Sequence, residues 1–206
     1  MTGNEWQTND INTFWGEIAK KDHLVQVYED QKILLDSLEG FVGTGFLAGN
    51  SVIIVATADH LSALERRLLQ HGFDLASLIA TDQYIPLNAE NLLSTFMVNG
   101  WPDEDLFMQS AKQLLIRARR NKRPVRAFGE MVALLWSAGC KLATIKVEEL
   151  WNNLCSQEEF CIYCAYPQSI FNEKDQQLVG HICKNHTKEI GGWSSASTEI
   201  FHRSIC

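Results

Sequence analysis

No run of apolar residues in this sequence approaches the roughly 20 that a helix needs to cross a bilayer. The opening segment, MTGNEWQTND, is polar and acidic, and lacks the basic region and apolar stretch of a secretory signal. Both absences predict a cytoplasmic protein with no membrane association. Positive charge is also short: 18 Lys and Arg stand against 25 Asp and Glu, a formal net charge of −7. Nucleic-acid affinity depends mainly on cationic contacts to phosphate, so this balance argues against a nucleic-acid partner. Cysteines number six, but a chain of 206 residues can bury its own core, so they are expected as reduced thiols rather than a disulfide framework. Two signatures are missing as well, the Gly-x-Ser-x-Gly nucleophile elbow and the His-Glu-x-x-His metal motif, which leaves the enzyme reading weak.

What is present is an alternation of apolar runs and amphipathic stretches. INTFWGEIAKK (11–21) reads as a helix capped by Asn9 or Asp10, with Ile11, Phe14, Trp15 and Ile18 on one face. HLVQVY (23–28) reads as a strand, followed by a helix from Asp30 that Gly43 and Gly45 should stop. SVIIVAT (51–57) is a continuous β-branched run, the pattern of a strand buried on both faces. A helix from Asp59 ends at Gly72; then a weaker strand, SLIAT (77–81), precedes an irregular DQYIPLN (82–88). Two helices follow, AENLLSTFMV (89–98) and DEDLFMQSAKQLLIRARR (103–120), separated by NGWP. PVRAF (124–128) and FCIYCAY (160–166) are strands, enclosing the helices GEMVALLWSAG and ATIKVEELWNNLCS, and NEKDQQLVGHICKN (172–185) is a closing helix. Repeated strand–helix alternation implies right-handed crossovers and an α/β three-layer sandwich, its mostly parallel sheet covered by helices on both faces. The chain divides into an N-terminal helix packed on the domain (1–22), the α/β domain (23–190) and a tail of uncertain order (191–206).

Several motifs bear on chemistry. TGFLAGNS (44–51) resembles a phosphate loop, but Asn50 stands where the lysine belongs, and the segment runs from helix into strand, the reverse of a phosphate loop. It is read as a helix stop and turn. RARRNKRP (117–124) places cations at a helix C-terminus, where they complement the macrodipole; docking of an acidic partner is the alternative. In a parallel sheet, ligands bind outside the carboxyl ends of the strands. The polar groups there are Tyr28, Asp59, His60, Glu130 and Tyr166, which together form the candidate crevice. Arg126 lies in an apolar strand, and Glu148 and Asn152 fall four apart on one helix; a buried arginine is expected to pair with such carboxylates.

Cys161-x-x-Cys164 and Cys183-x-x-His186 have the spacing of a four-ligand zinc site. Cys161 and Cys164 lie three apart in an extended strand and so point to opposite faces. Cys183 and His186 share a helix face but supply half a site. The expectation is therefore no metal and no cofactor.

The segments VRAFGEMVALLW, VEELWNNL and FCIYCAYP, with DHLVQVYED, GFVGTGFLAGNSVIIVATADH and LNAENLLSTFMVNGWPDEDLF, resemble the MEDS family, the methanogen/methylotroph sensory domain. The resemblance runs from His23 to His186 and is best at Arg126, Gly129, Glu130, Met131, Glu148, Asn152, Cys164 and Tyr166. It implies a RecA-like, circadian-clock-ATPase-like fold without a phosphate loop. It also implies a sensory role, with a small hydrocarbon-like ligand and output through a histidine kinase, response regulator or other signalling partner. The function expected is thus a non-enzymatic sensory or regulatory domain. The alternatives are a nucleotide-binding enzyme using Glu130 to orient water, and a structural interaction subunit such as a homo-oligomeric scaffold.

Overall fold

The computed structural model describes residues 15–16, 18–191 and 199–202. Its strands are β1 (His23–Tyr28), β2 (Ser51–Ala56), β3 (Tyr84–Asn88), β4 (Met97–Val98), β5 (Trp101–Pro102), β6 (Val125–Gly129), β7 (Cys161–Pro167), β8 (Lys188–Gly191) and β9 (Glu199–His202). Its helices are α1 (Gln31–Leu47), α2 (Ala58–Gln70), α3 (Leu75–Ala80), α4 (Ala89–Ser94), α5 (Glu104–Ala118), α6 (Met131–Ser137), α7 (Lys141–Gln157) and α8 (Gln176–Asn185). The main sheet has the order β3-β2-β6-β7-β1-β8-β9. Its first six strands are parallel, and β9 adds an antiparallel edge against β8.

Alternation along the strands feeds two cores. On one face Val25, Ile53, Val125, Ile162 and Cys164 pack against Phe107, Trp136, Val147 and Trp151 of α5, α6 and α7. On the other, Leu24, Ile54, Phe128 and Tyr163 meet Leu34, Leu38, Phe41, Leu64 and Leu68 of α1 and α2. With about 0.025 kcal/mol gained per Å2 of apolar surface buried, these two faces supply the main driving force for folding. The α/β three-layer sandwich expected from the sequence is what forms. Of the helix expected over 11–21, residues 11–14 and 17 lie outside the described residues, 15 and 16 are helical, and 18–21 are not helix but coil and a turn leading into β1. Trp15 is fully buried, its ring 5.4 Å from Phe41 and 5.7 Å from Tyr163.

Three local expectations need correction. α1 runs through Gly43 and Gly45 to Leu47, and the chain turns at Gly49, where φ is +72° and a side chain would be strained. Gly45 serves packing instead: a Cβ there would lie 2.9 Å from Val52 Cγ2 and 3.3 Å from Arg126 Cδ. Residues 75–80 form a helix, because Asp74 accepts a hydrogen bond from Ser77 N (3.1 Å) and so caps it; the strand is 84–88. The helix from Ala89 stops at Ser94, and Asn99-Gly100, both at positive φ, turn β4 back on β5. An Asn-Gly pair with φ above zero at both positions is the preferred two-residue hairpin turn.

Candidate functional site

The strand-end residues come together only in part. Glu130 follows β6 and reaches across to the β2–α2 junction, where its Oε2 accepts from Thr57 N (2.9 Å) and its Oε1 lies 2.6 Å from His60 Nδ1. Thr57 caps α2 by accepting from His60 N (3.4 Å), which fixes the imidazole beside the carboxylate. Tyr28 is near enough for the Glu130 charge to add to burial in raising its phenol well above the usual range. Tyr28, His60 and Glu130 are all buried, whereas Asp59 is exposed at the rim. Both Glu130 oxygens already have donors, so this set ties two strand ends together.

The His60–Glu130 pair has a pH signature. The hydrogen bond to Glu130 raises His60 above its ordinary 6.5, opposed by burial and assisted by the charges of Glu130 and Asp59. A group whose folded pKa exceeds its unfolded one stabilises the fold fully below the unfolded value and loses that contribution as pH rises through the folded value. His60 should therefore stabilise the fold below about pH 6.5 and progressively less above it. An NMR imidazole titration should place its midpoint above that of a free histidine, and Glu130→Gln should lower it. An unmoved midpoint in Glu130→Gln would contradict the pairing.

Arg126 does not join any of the candidate carboxylates. It projects to the α1 face of the sheet, away from Glu148, where its Nη1 donates to Phe41 O (3.2 Å) and Thr44 Oγ1 (3.0 Å), and its guanidinium lies 5.6 Å from the Phe41 ring centroid. Among the described residues no carboxylate lies within ion-pair distance of it. The expected ion pair with Glu130 or Glu148 is replaced by neutral acceptors and a ring face, because strand alternation sends Arg126 towards α1. Asn152 is also elsewhere: it is exposed, while Glu148 is buried. Glu148 sits at the edge of the buried stripe of α7, and four further residues turn the helix about 40° past that edge.

Glu148 instead anchors a cluster below the sheet. Its Oε2 lies 3.3 Å from His23 Nε2, 3.4 Å from His186 Nε2 and 3.6 Å from Cys164 Sγ. Cys164 Sγ is 3.5 Å from His23 Nε2. Its other oxygen, Oε1, accepts a short hydrogen bond from Tyr166 O–H. The four side chains come from β1, α7, β7 and the end of α8, and all are buried. Parallel pairing of β1 with β7 sets Val25 beside Cys164, so His23, two residues before Val25, lies on the same face. His186 is held beside it by Thr187, whose N donates to His23 O (2.7 Å) and whose hydroxyl accepts from His23 N (2.9 Å). The two imidazole centroids are 3.9 Å apart.

The electrostatics follow from burial. Desolvation alone would raise the Glu148 carboxyl, but His186, His23 and the Tyr166 hydroxyl hold it down to about 2. Burial, then Glu148 and Cys155, push the Cys164 thiol well above its usual range. Tyr166 rises for the same two leading reasons, burial and Glu148.

Of the residues with zinc spacing, Cys161 and Cys164 do diverge: Cys161 faces the α1 side and Cys164 the α7 side. Cys164 and His186, from different halves of that spacing, meet each other through Glu148 and His23. His23 carried no signal in the sequence beyond opening a strand, since strand order cannot be read from a single chain. Elsewhere, the basic run is tied to acidic neighbours: Arg117 and Arg120 pair with Asp82 (2.6 and 3.0 Å), and Arg119 with Glu158 (2.6 Å). An apolar cavity of about 10 Å3 lies among Ile53, Leu115, Ala127, Trp151 and Ile162, room for no more than one water molecule. Among the described residues, no helix is long and apolar enough to cross a membrane.

Among solved structures, the chain is similar to a Pyrococcus horikoshii OT3 protein described as a structural study of Project ID PH0250. The TM-score is 0.60 at 14% identity, over 93% of this chain and 91% of that one, a likeness of fold. No curated protein matches the sequence. The family model described as MEDS, MEthanogen/methylotroph, DcmR Sensory domain, matches residues 22–187, so the chain belongs to the MEDS family.

Proposed function

We propose that this chain is a non-enzymatic sensory or regulatory module that takes up a small molecule and passes the signal to a histidine kinase, response regulator or similar partner. The observation that carries the reading is the match to a sensory-domain family over residues 22–187. Two features support it. Residues 44–51 form the end of α1 and the turn into β2, without the strand-to-helix loop that cradles phosphate. The Glu130 carboxylate, the candidate base for a nucleotide hydrolase, is occupied by Thr57 N and His60. A RecA-like ancestry belongs to the same proposal, as does the hydrocarbon-like character of the ligand.

The test is a thermal-shift screen of small metabolites, short alcohols and carboxylates included, alongside capture of neighbouring two-component proteins on the immobilised chain. Binding to the folded state alone stabilises by about 2.7 kcal/mol at a ligand concentration 100 times Kd. A saturable rise in Tm, or capture of a signalling partner, with no ATP or GTP turnover, is the expected result. Turnover that disappears in Glu130→Gln would overturn the reading in favour of an enzyme.

A further inference from the structure

We propose that His23, Glu148, Cys164 and His186 form a buried binding site for a single divalent cation of the zinc type. This goes beyond the sensory reading and does not depend on it. It also replaces the expectation of no metal, which considered the Cys161, Cys164, Cys183 and His186 spacing and not the contacts that Cys164 and His186 make through the fold.

The distances carry the argument. Zinc bonds of about 2.0–2.2 Å to nitrogen and oxygen and about 2.3 Å to sulfur, at tetrahedral angles, put neighbouring ligand atoms roughly 3.3–3.6 Å apart. Four of the six separations fall in that range: 3.3 Å for His23 Nε2 to Glu148 Oε2, 3.4 Å for His186 Nε2 to the same oxygen, 3.5 Å for Cys164 Sγ to His23 Nε2 and 3.6 Å for Cys164 Sγ to Glu148 Oε2. All four ligand atoms lie within 4.8 Å of one another. A proton shared between an imidazole and a carboxylate draws them to about 2.7–2.9 Å. In this protein it does so at His60 and Glu130, 2.6 Å apart. The imidazoles beside Glu148 stand further off, at the edge length of a coordination tetrahedron.

The surrounding hydrogen bonds set two of the ligands, His186 and Glu148, in the form a metal needs. His186 Nδ1 lies 2.7 Å from Ile182 O, which can only accept, so Nδ1 carries the proton and Nε2 faces the cluster. Tyr166 donates to Glu148 Oε1, which leaves Oε2 towards the other three ligands. Charge closes too. A dication with one carboxylate, one thiolate and two neutral imidazoles sums to zero, which suits a site with no exposed side chain. On binding, the Cys164 S–H proton leaves to solvent as the metal–sulfur bond forms. Sulfur and two imidazoles favour zinc over magnesium or calcium, and four protein ligands make a closed site that clamps β1, α7, β7 and the end of α8.

The test is titration of the chelator-stripped full chain with Co2+, followed by absorbance, with Zn2+ added last. A thiolate-to-cobalt charge-transfer band and tetrahedral visible bands should saturate at about one cobalt per chain and vanish as zinc displaces it. Cys164→Ser should abolish the charge-transfer band, Cys161→Ser should keep it, and Tyr166→Phe should weaken zinc affinity by about 10–100-fold. The wild-type titration decides the matter even if Cys164→Ser does not fold. Absence of the bands in wild type, or a charge-transfer band that survives in folded Cys164→Ser, would overturn the proposal.

Discussion

Glu148→Ala should lower the stability of the chelator-stripped protein by about 3–5 kcal/mol, the usual effect of removing one partner from a buried charged set. For a chain of this size that corresponds to a fall in Tm of roughly 6–20 °C. Glu148 is fully buried, and its loss would leave the Tyr166 hydroxyl without its acceptor and the two imidazoles of His23 and His186 facing a cavity. An unpaired buried hydroxyl alone costs about 1–3 kcal/mol. Glu148→Gln keeps an oxygen for Tyr166 and should lose less. Urea denaturation of the three proteins in chelator gives the comparison. A loss below about 1 kcal/mol for Glu148→Ala would show that the carboxylate is not the hub of the cluster.

Arg126 should behave in the opposite way to an ion-paired arginine. Because it bonds neutral groups, its removal strands no carboxylate. Arg126→Met, which refills the space beside Phe41 and Gly45, is expected to stay within about 1 kcal/mol of wild type, since a buried cation exchanged for an apolar chain of similar volume is often neutral or better. Arg126→Ala leaves that space open and should cost about 2–5 kcal/mol, the range of large-to-small core changes. The two variants are compared by their urea midpoints at constant m. If both lost 3 kcal/mol or more (about the cost of breaking a buried pair), a carboxylate partner would have to be sought for Arg126.

Much of the fold was legible because it is written in local pattern. The β-branched run at 51–57 becomes the buried β2, and Asp30 and Asp103 mark helix starts by accepting hydrogen bonds from Ile33 and Leu106. The exchange of helix and strand between 75 and 88 has a physical cause. Pro86 argues against a strand in general, yet β3 lies at the sheet edge, where a missing N–H is tolerated. Gly45 reads as a stop because its packing role against Val52 and Arg126 appears only once the sheet is assembled.

The candidate site was half legible for the same reason. Chain order places Tyr28, His60 and Glu130 at strand ends; His60 and Glu130 do meet, and Tyr28 lies near enough to feel the Glu130 charge. Glu148 was singled out for lying four residues before Asn152, and Tyr166 for ending a strand; both were assigned to the crevice, whereas both are buried in the core below it. Their partners are set by strand order. β1 lies between β7 and β8, so His23 is carried to residues 125 and 163 positions further along the chain, and no local period records that.

The deciding question is what lies between His23, Glu148, Cys164 and His186. Anomalous diffraction from crystals of zinc-loaded protein, collected on both sides of the zinc absorption edge, would measure it. One strong peak per chain is expected, about 2.0–2.3 Å from two imidazole nitrogens, a carboxylate oxygen and a thiolate sulfur. A map without that peak, with His23 or His186 drawn up to Glu148 at hydrogen-bond distance, would contradict it.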